Sequence, residues 1–231
     1  MDLPQEDKGD KEREMVDKNF DFSIPEVREL QQICAIAEEK MEKYWSKRIV
    51  QTQDARSALS DFLYYLNYKK LTDLEYYLLL SHLPQLQKVL FLGSGALPLT
   101  AILLAGYGVK SVLIERDQEA FMLATQLIKK LGLEHMIELV LTDVMQFSSE
   151  EHFDAVWMAS LLFTSADADR LLAHLVAHCS FEVVLIRTVE GMRQLLYQQV
   201  PLALVKKYLT LELELHPKNE ILNSILLCTK P

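Results

Sequence analysis

Two rhythms of apolar and polar residues divide this chain near residue 85: earlier, apolar positions recur every three or four residues, and later they come in short unbroken runs. Ser23 to Glu26 reads S-x-x-E with proline inside, a capping box that predicts a helix running to about Ser46. At 100° per residue, Val27, Leu30, Cys34, Met41 and Trp45 share the face this helix should bury, and Glu38 and Glu42 fall on that same face. A second helix is expected over roughly Asp54 to Lys69, with Leu59, Phe62, Leu63 and Leu66 inward. A further capping box, Thr72 to Glu75, opens a third helix that stops before Pro84.

From Lys88 the pattern predicts buried strands alternating with helices: VLFLG (89–93), SVLIE (111–115), IELVL (137–141), DAVWMA (154–159) and EVVLIR (182–187). YLTLELEL and EILNSILLC, separated by the turn HPKN, form an antiparallel hairpin that closes the sheet. Five parallel strands and a terminal hairpin make an α/β fold of the class I methyltransferase-like, Rossmann-like plan. The expected organisation is a tail (1–19), an N-terminal helical cap (20–84) and a sheet domain (85–231).

Composition narrows the function. Half of the 231 residues are apolar, enough for one substantial core. A formal charge of -9 argues against nucleic acid as partner, since that affinity comes from clustered Lys and Arg. Residues 1–19 mix both charge signs with almost no apolar side chain, which predicts a disordered tail and no secretory leader. No window is long and apolar enough to span a bilayer, so no membrane is expected and the location is expected to be cytoplasmic. Cys34, Cys179 and Cys228 read as small buried hydrophobes. No C-x-x-C or H-E-x-x-H spacing supports a protein-bound metal.

The chemistry starts at GSGALPLT, residues 93–100, between the first strand and the first sheet helix. There glycines let backbone approach a ligand, which makes Gly93, Ser94, Gly95, Ala96, Leu97 and Pro98 a candidate cofactor loop. Glu115 ends the second strand, about twenty residues on, where a carboxylate accepts ribose hydroxyls. Asp143, after the third strand, is expected at the adenine edge, and Ala159 and Ser160 along the cofactor at the end of the fourth. The alternative for either carboxylate is a solvated loop residue. Two acids on the apolar face of the first helix, Glu38 and Glu42, repel each other and are costly to bury, which suggests use; the alternative is structural pairing. Tyr64, Tyr65 and Tyr68 share a helix flank, and a phenol can relay an amine proton. Arg187 and Arg193 are candidates to hold a substrate or cofactor carboxylate in a forked pair of bonds, or else to form structural ion pairs.

The loop G-x-G-x-L-P differs from those of ordinary methyltransferases and NAD enzymes, and it resembles the GSGPLPLT of nicotianamine synthases. Further blocks agree in order to the C-terminus. FLYYLNYKKLTDLEYYLL is similar to that family's Y-Y-x-N-Y-x-x-L-S-x-L-E, and FDAVWMASLL to its Y-D-x-V-F-L-A-A-L. RTVEGMRQLLYQQV is similar to R-x-x-x-G-x-R-x-x-L-Y-P-x-V, and HPKNEILNSILLCTK to H-P-x-x-x-x-x-N-S. Ala96 and Gln198 depart from the family's prolines, and Glu39 and Lys40 add charge to the first helix. The family resembled includes bacterial opine-metallophore enzymes of the staphylopine type.

The resemblance implies an aminobutanoyltransferase of metallophore biosynthesis: S-adenosylmethionine gives its 3-amino-3-carboxypropyl group to a substrate amine, and methylthioadenosine leaves. Any metal then binds the product. Tyr68 matches the last tyrosine of the family's N-Y unit, so Glu42 with Tyr68 is expected to orient and deprotonate the amine, with Glu38 and Tyr65 beside them. Histidine of either hand, another amino acid or a second aminobutanoyl unit are all compatible acceptors. A homodimer is compatible with the apolar face of the first helix. Competing readings are a small-molecule methyltransferase, which would release S-adenosylhomocysteine, and a cofactor-binding protein without turnover.

Overall fold

A computed structural model describes residues 20–163 and 167–231; the tail expected at 1–19 lies outside the described residues. The helical part comprises α1 (Pro25–Gln51), α2 (Ala55–Ser60) and α3 (Tyr65–Leu80). Then follow β1 (Lys88–Leu92), α4 (Leu99–Ala105), β2 (Lys110–Glu115), α5 (Gln118–Leu131), β3 (Ile137–Leu141), β4 (His152–Met158) and α6 (Ala168–His178). The chain ends with β5 (Ser180–Thr188), α7 (Leu202–Tyr208), β6 (Thr210–Leu215) and β7 (Ser224–Thr229).

The sheet order is β3-β2-β1-β4-β5-β7-β6. The first five strands are parallel and β7 is antiparallel to both its neighbours, so the expected hairpin forms and inserts its second strand beside β5. Along β1, Val89 and Phe91 join one core cluster while Leu90 and Leu92 join the other. Both faces are covered, which is why the strand reads as an unbroken apolar run rather than an alternation. The order reverses between β1 and β4, and the carboxyl ends of those strands open the crevice where ligands of such sheets sit.

The helices α1–α3 share one core with the sheet: Ile49, Leu59, Phe62, Leu71 and Leu79 cluster with Phe91, Leu113, Trp157 and Leu227. Their boundaries differ from the sequence expectation in three ways. Ile24, not Ser23, is the N-cap of α1 and makes no side-chain cap bond; Ser23 turns back to Asp21, and α1 continues to Gln51. The second expected helix breaks after Ser60, capped at its start by Asp54 on the Ser57 N–H at 3.0 Å. The break leaves Leu59 and Phe62 inside but Leu63 and Leu66 74% and 67% exposed. No helix starts at Thr72. The register of α3 carries Thr72 and Glu75 into the interior, both 0% exposed, so the apparent capping box is a coincidence of spacing inside one continuous helix.

Among the described residues no helix is long and apolar enough to cross a membrane. The three cysteines are free, Cys179 and Cys228 buried and Cys34 half-buried.

Candidate active site

The loop leaving β1 doubles back at two glycines with positive φ, Gly93 at 78° and Gly95 at 66°. The Gly93 and Ser94 N–H groups donate to the Ile114 carbonyl at 3.0 and 3.2 Å, tying the loop to the end of β2. Glu115, buried at that end, accepts the Gly95 N–H at 2.8 Å on one oxygen and the Asp117 N–H at 2.8 Å on the other. A carboxylate offers about four acceptor positions, so it retains capacity for two hydroxyls. A Cβ on Gly95 would collide with a carboxylate oxygen of Glu42. Gly95 therefore serves two needs at once, a left-handed turn and the approach of α1 to the loop.

Glu42 reaches across from α1 and accepts the main-chain N–H groups of Ala96 and Leu97. Burial and the nearby Glu38 push its carboxyl up to about 8 against the pull of those donors. Glu38, one turn earlier, is also raised by burial, while a hydrogen bond donated by the Tyr197 hydroxyl works the other way. The Tyr68 phenol is buried and held well above its ordinary range by burial and by Glu42.

These side chains separate two cavities. The larger, about 590 Å³, is lined by the loop from Gly93 to Pro98, Glu115, Ala159 and Arg187. The smaller, about 220 Å³, is lined by Cys34, Met41, Phe62, Tyr64, Asn67 and Leu222 among others. Glu38, Glu42, Tyr68, Tyr197 and Asn223 line both and form the common wall.

Behind the wall, Glu75 accepts two bonds from Arg187 at 2.7 Å each and one from the Trp157 indole at 3.1 Å. Arg187 also donates to the Thr100 hydroxyl at 2.8 Å and sits 5.9 Å from the centre of the Tyr68 ring. Its fork is thus spent within the protein, as the structural alternative required, although the residue borders the larger cavity.

Other sequence candidates are placed elsewhere. Arg193 donates to the main-chain carbonyls of Pro217 and Asn219 at 2.8 and 2.9 Å and lines neither cavity. Asp143 caps a short 3-10 turn through the Met145 N–H at 2.8 Å and is not among the residues lining the two cavities. Tyr65 opens α3 and packs on the core instead of the common wall. Ser160 begins a 3-10 turn after β4, and its side chain lies outside the described ones. Sequence reasoning missed Tyr197, Asn223 and Glu75. Tyr197 and Asn223 stood inside the motifs R-x-x-x-G-x-R-x-x-L-Y and H-P-x-x-x-x-x-N-S, while Glu75 was taken for a cap. Among the described residues no group of three or more His, Cys, Asp or Glu is placed to hold a metal ion.

Residues 17–231 match the family described as Nicotianamine synthase protein. Nicotianamine synthase 3 of Arabidopsis thaliana is 30% identical over 218 residues, covering 90% of this chain and 68% of that protein. Nicotianamine synthase of Solanum lycopersicum is 28% identical over 216 residues, 90% of this chain and 68% of that one. Among solved structures, MtNAS in complex with MTA and tNA superposes with a TM-score of 0.79 at 20% identity, covering 99% of this chain and 91% of that one. A point variant of MtNAS in complex with S-adenosylmethionine gives 0.78 at 20%, covering 95% and 88%. The N-methyltransferase NodS from Bradyrhizobium japonicum WM9, in complex with S-adenosyl-L-homocysteine, gives 0.51 at 16%, covering 82% and 98%. The structural likenesses establish the fold.

Proposed function

The chain belongs to the nicotianamine synthase family, and we propose that its two cavities and the acids between them carry out aminobutanoyl transfer from S-adenosylmethionine to a small amine. The observation that carries this reading is the Glu42–Tyr68 pair, set in the common wall within reach of the glycine loop. The larger cavity fits the donor: its loop turns on glycines, and Glu115 faces it with unused acceptor capacity. When bound, the donor supplies a carbon made electrophilic by its sulfonium, and methylthioadenosine leaves with the electron pair of the broken C–S bond.

The residues of this chain supply position and a proton acceptor. An amine in the smaller cavity arrives as an ammonium and cannot attack until deprotonated. A carboxylate pushed up to about 8 is matched to take that proton. Its placement on the wall leaves the freed lone pair facing the donor, and such alignment supplies much of the rate. The charged groups lining the smaller cavity are Glu38 and Glu42, which suits an amine, and its volume of about 220 Å³ suits one amino acid, histidine of either hand included. In this reading residues 20–84 serve as the cap that closes the acceptor side, residues 85–231 hold the donor, and the enzyme works in the cytoplasm, in keeping with its free thiols.

The test is to incubate the protein with S-adenosylmethionine and pooled amino acids, both histidine enantiomers included, and to identify the sulfur by-product by mass spectrometry. Methylthioadenosine with a product heavier by one aminobutanoyl unit is the expected outcome. S-adenosylhomocysteine would mean methyl transfer and overturn the reading.

A further inference from the structure

Tyr197 stands just after the 3-10 turn Gly191–Leu195, on a segment tied both to α1 and to the turn after β6. The Gln31 side-chain amide donates to the carbonyls of Gln194 at 2.6 Å and Tyr197 at 3.3 Å, and Arg193 anchors the same segment to Pro217 and Asn219. The backbone is therefore fixed where the Tyr197 hydroxyl reaches Glu38 Oε1. Tyr197 belongs to no acid–base pattern along the chain, yet it lines both cavities.

We propose that Tyr197 is a positioning residue for the transfer: by donating to Glu38 it makes Glu38 the member of the acid pair that stays ionised, and leaves Glu42 as the member that takes the acceptor's proton. This rests on the transfer reading above. Two carboxyls one helical turn apart behind a common wall do not ionise together freely, and the first charge settles where donors are best placed. Glu42 is the more deeply enclosed and faces Glu115, which moves the charge toward Glu38; its two main-chain donors, Ala96 and Leu97, move the charge back. Tyr197 decides between them, because a hydrogen bond to an ionised acceptor is stronger than one to a neutral carboxyl and so favours the microstate in which Glu38 carries the charge. The remaining groups that face the pair do not compete: Tyr64, the N-cap of α3, and Tyr68 within it make no hydrogen bond to either acid among the described residues, and Arg187 from β5 is bound by Glu75. Burial and the Glu38 charge keep the Tyr197 phenol protonated, so it remains a donor.

The consequence is a division of labour. With Glu38 ionised, Glu42 is held as a base of high proton affinity; it takes the ammonium proton, the amine nitrogen bonds to the donor carbon, and the C–S electron pair leaves on sulfur. The test is the pH profile of kcat/KM for the acceptor, read as methylthioadenosine release. In the wild type the acidic limb is expected near pH 8, from Glu42. In Tyr197→Phe the charge moves to Glu42, the limb shifts down by about one unit or more, and the high-pH rate falls about three- to tenfold because a weaker base remains. Glu38→Gln produces the same shift, and the double variant matches Glu38→Gln alone. A merely structural tyrosine would leave the limb in place and its loss would multiply with that of Glu38→Gln; either result overturns the proposal. Glu38→Gln keeps Tyr197 in place, so an unmoved limb in that variant overturns the proposal even if Tyr197→Phe fails to fold. Absence of methylthioadenosine from the wild type at every pH is a different failure, that of the transfer reading itself.

Discussion

Two acidic groups act on the same phenol, Tyr68, and are treated in opposite ways. Glu75 is wholly buried and fully paired: Arg187 gives it a forked bond, Trp157 a third, and Thr100 completes the shell of the arginine. Glu38 and Glu42 are enclosed beside each other, with tyrosines and main-chain N–H groups as partners in place of a cation. A carboxylate with its own guanidinium has a settled charge and can only hold things in place. A carboxyl whose neighbours disagree about its charge can exchange a proton near neutral pH, which is what an acceptor amine requires. Tyr68 joins the two, with its ring over Arg187 and its hydroxyl on the wall.

The contrast breaks most sharply by substituting each acid in turn. Glu42→Gln keeps the shape and removes the base, so kcat is expected to fall about 10²- to 10⁴-fold with donor binding retained. The same variant should not be less stable at high pH. Because Glu42 binds its proton more tightly folded, up to about 8, than unfolded, the wild type loses stability as pH rises from about 4.5 through 8. Glu42→Gln lacks that loss, so its Tm should exceed the wild type's at pH 9 and converge with it near pH 5. A Tm lower than wild type at pH 9 would contradict the unsettled charge. Glu75→Ala should behave the other way round. It strands Arg187 as a buried unpaired cation, and about 3–5 kcal/mol of stability is expected to be lost in denaturant unfolding. A folded Glu75→Ala of wild-type stability but with no turnover would instead place Glu75 in the chemistry.

Gly95→Ala sharpens the comparison at the point where α1 meets the loop. The site requires a left-handed backbone that a side chain disfavours, and the new Cβ displaces the Glu42 carboxylate. Strain of about 1–3 kcal/mol follows. Donor affinity by calorimetry should weaken about tenfold, and kcat should fall as well. A loss of stability without either functional effect would mean that Glu42 and the loop act independently.

The sheet half was legible in the sequence because its central strands β1, β2, β4 and β5 are largely buried on both faces and so read as apolar runs; the half-exposed edge strand IELVL still has the same bounds in sequence and structure. The helical half was less so. Asp61 to Tyr64 interrupt what reads as one amphipathic stripe, and Thr72 with Glu75 has the spacing of a cap while lying in the middle of a helix. What decides these cases is tertiary: Glu75 belongs inside because Arg187, 112 residues later, meets it there. The same holds for the site. Glu38, Glu42 and the glycine loop announced themselves by burial and turn chemistry, whereas Tyr197 takes its meaning from a contact across 159 residues, which no local pattern carries.

The smallest effect is expected at Arg193, which sequence reasoning grouped with Arg187. Both arginines make two-pronged contacts, but Arg187 faces a buried carboxylate and Arg193 faces two main-chain carbonyls of the turn after β6. Arg193→Met removes both bonds where solvent can replace part of what is lost, so a decrease of about 1–2 kcal/mol in stability is expected. Since the guanidinium lines neither cavity, kcat/KM for donor and acceptor should stay within about threefold of the wild type, the residual change coming from a looser strap beneath Tyr197. A hundredfold fall in kcat/KM at unchanged Tm would return Arg193 to a substrate carboxylate, and the distinction between arginines that build the site and arginines that bind within it would have to be redrawn.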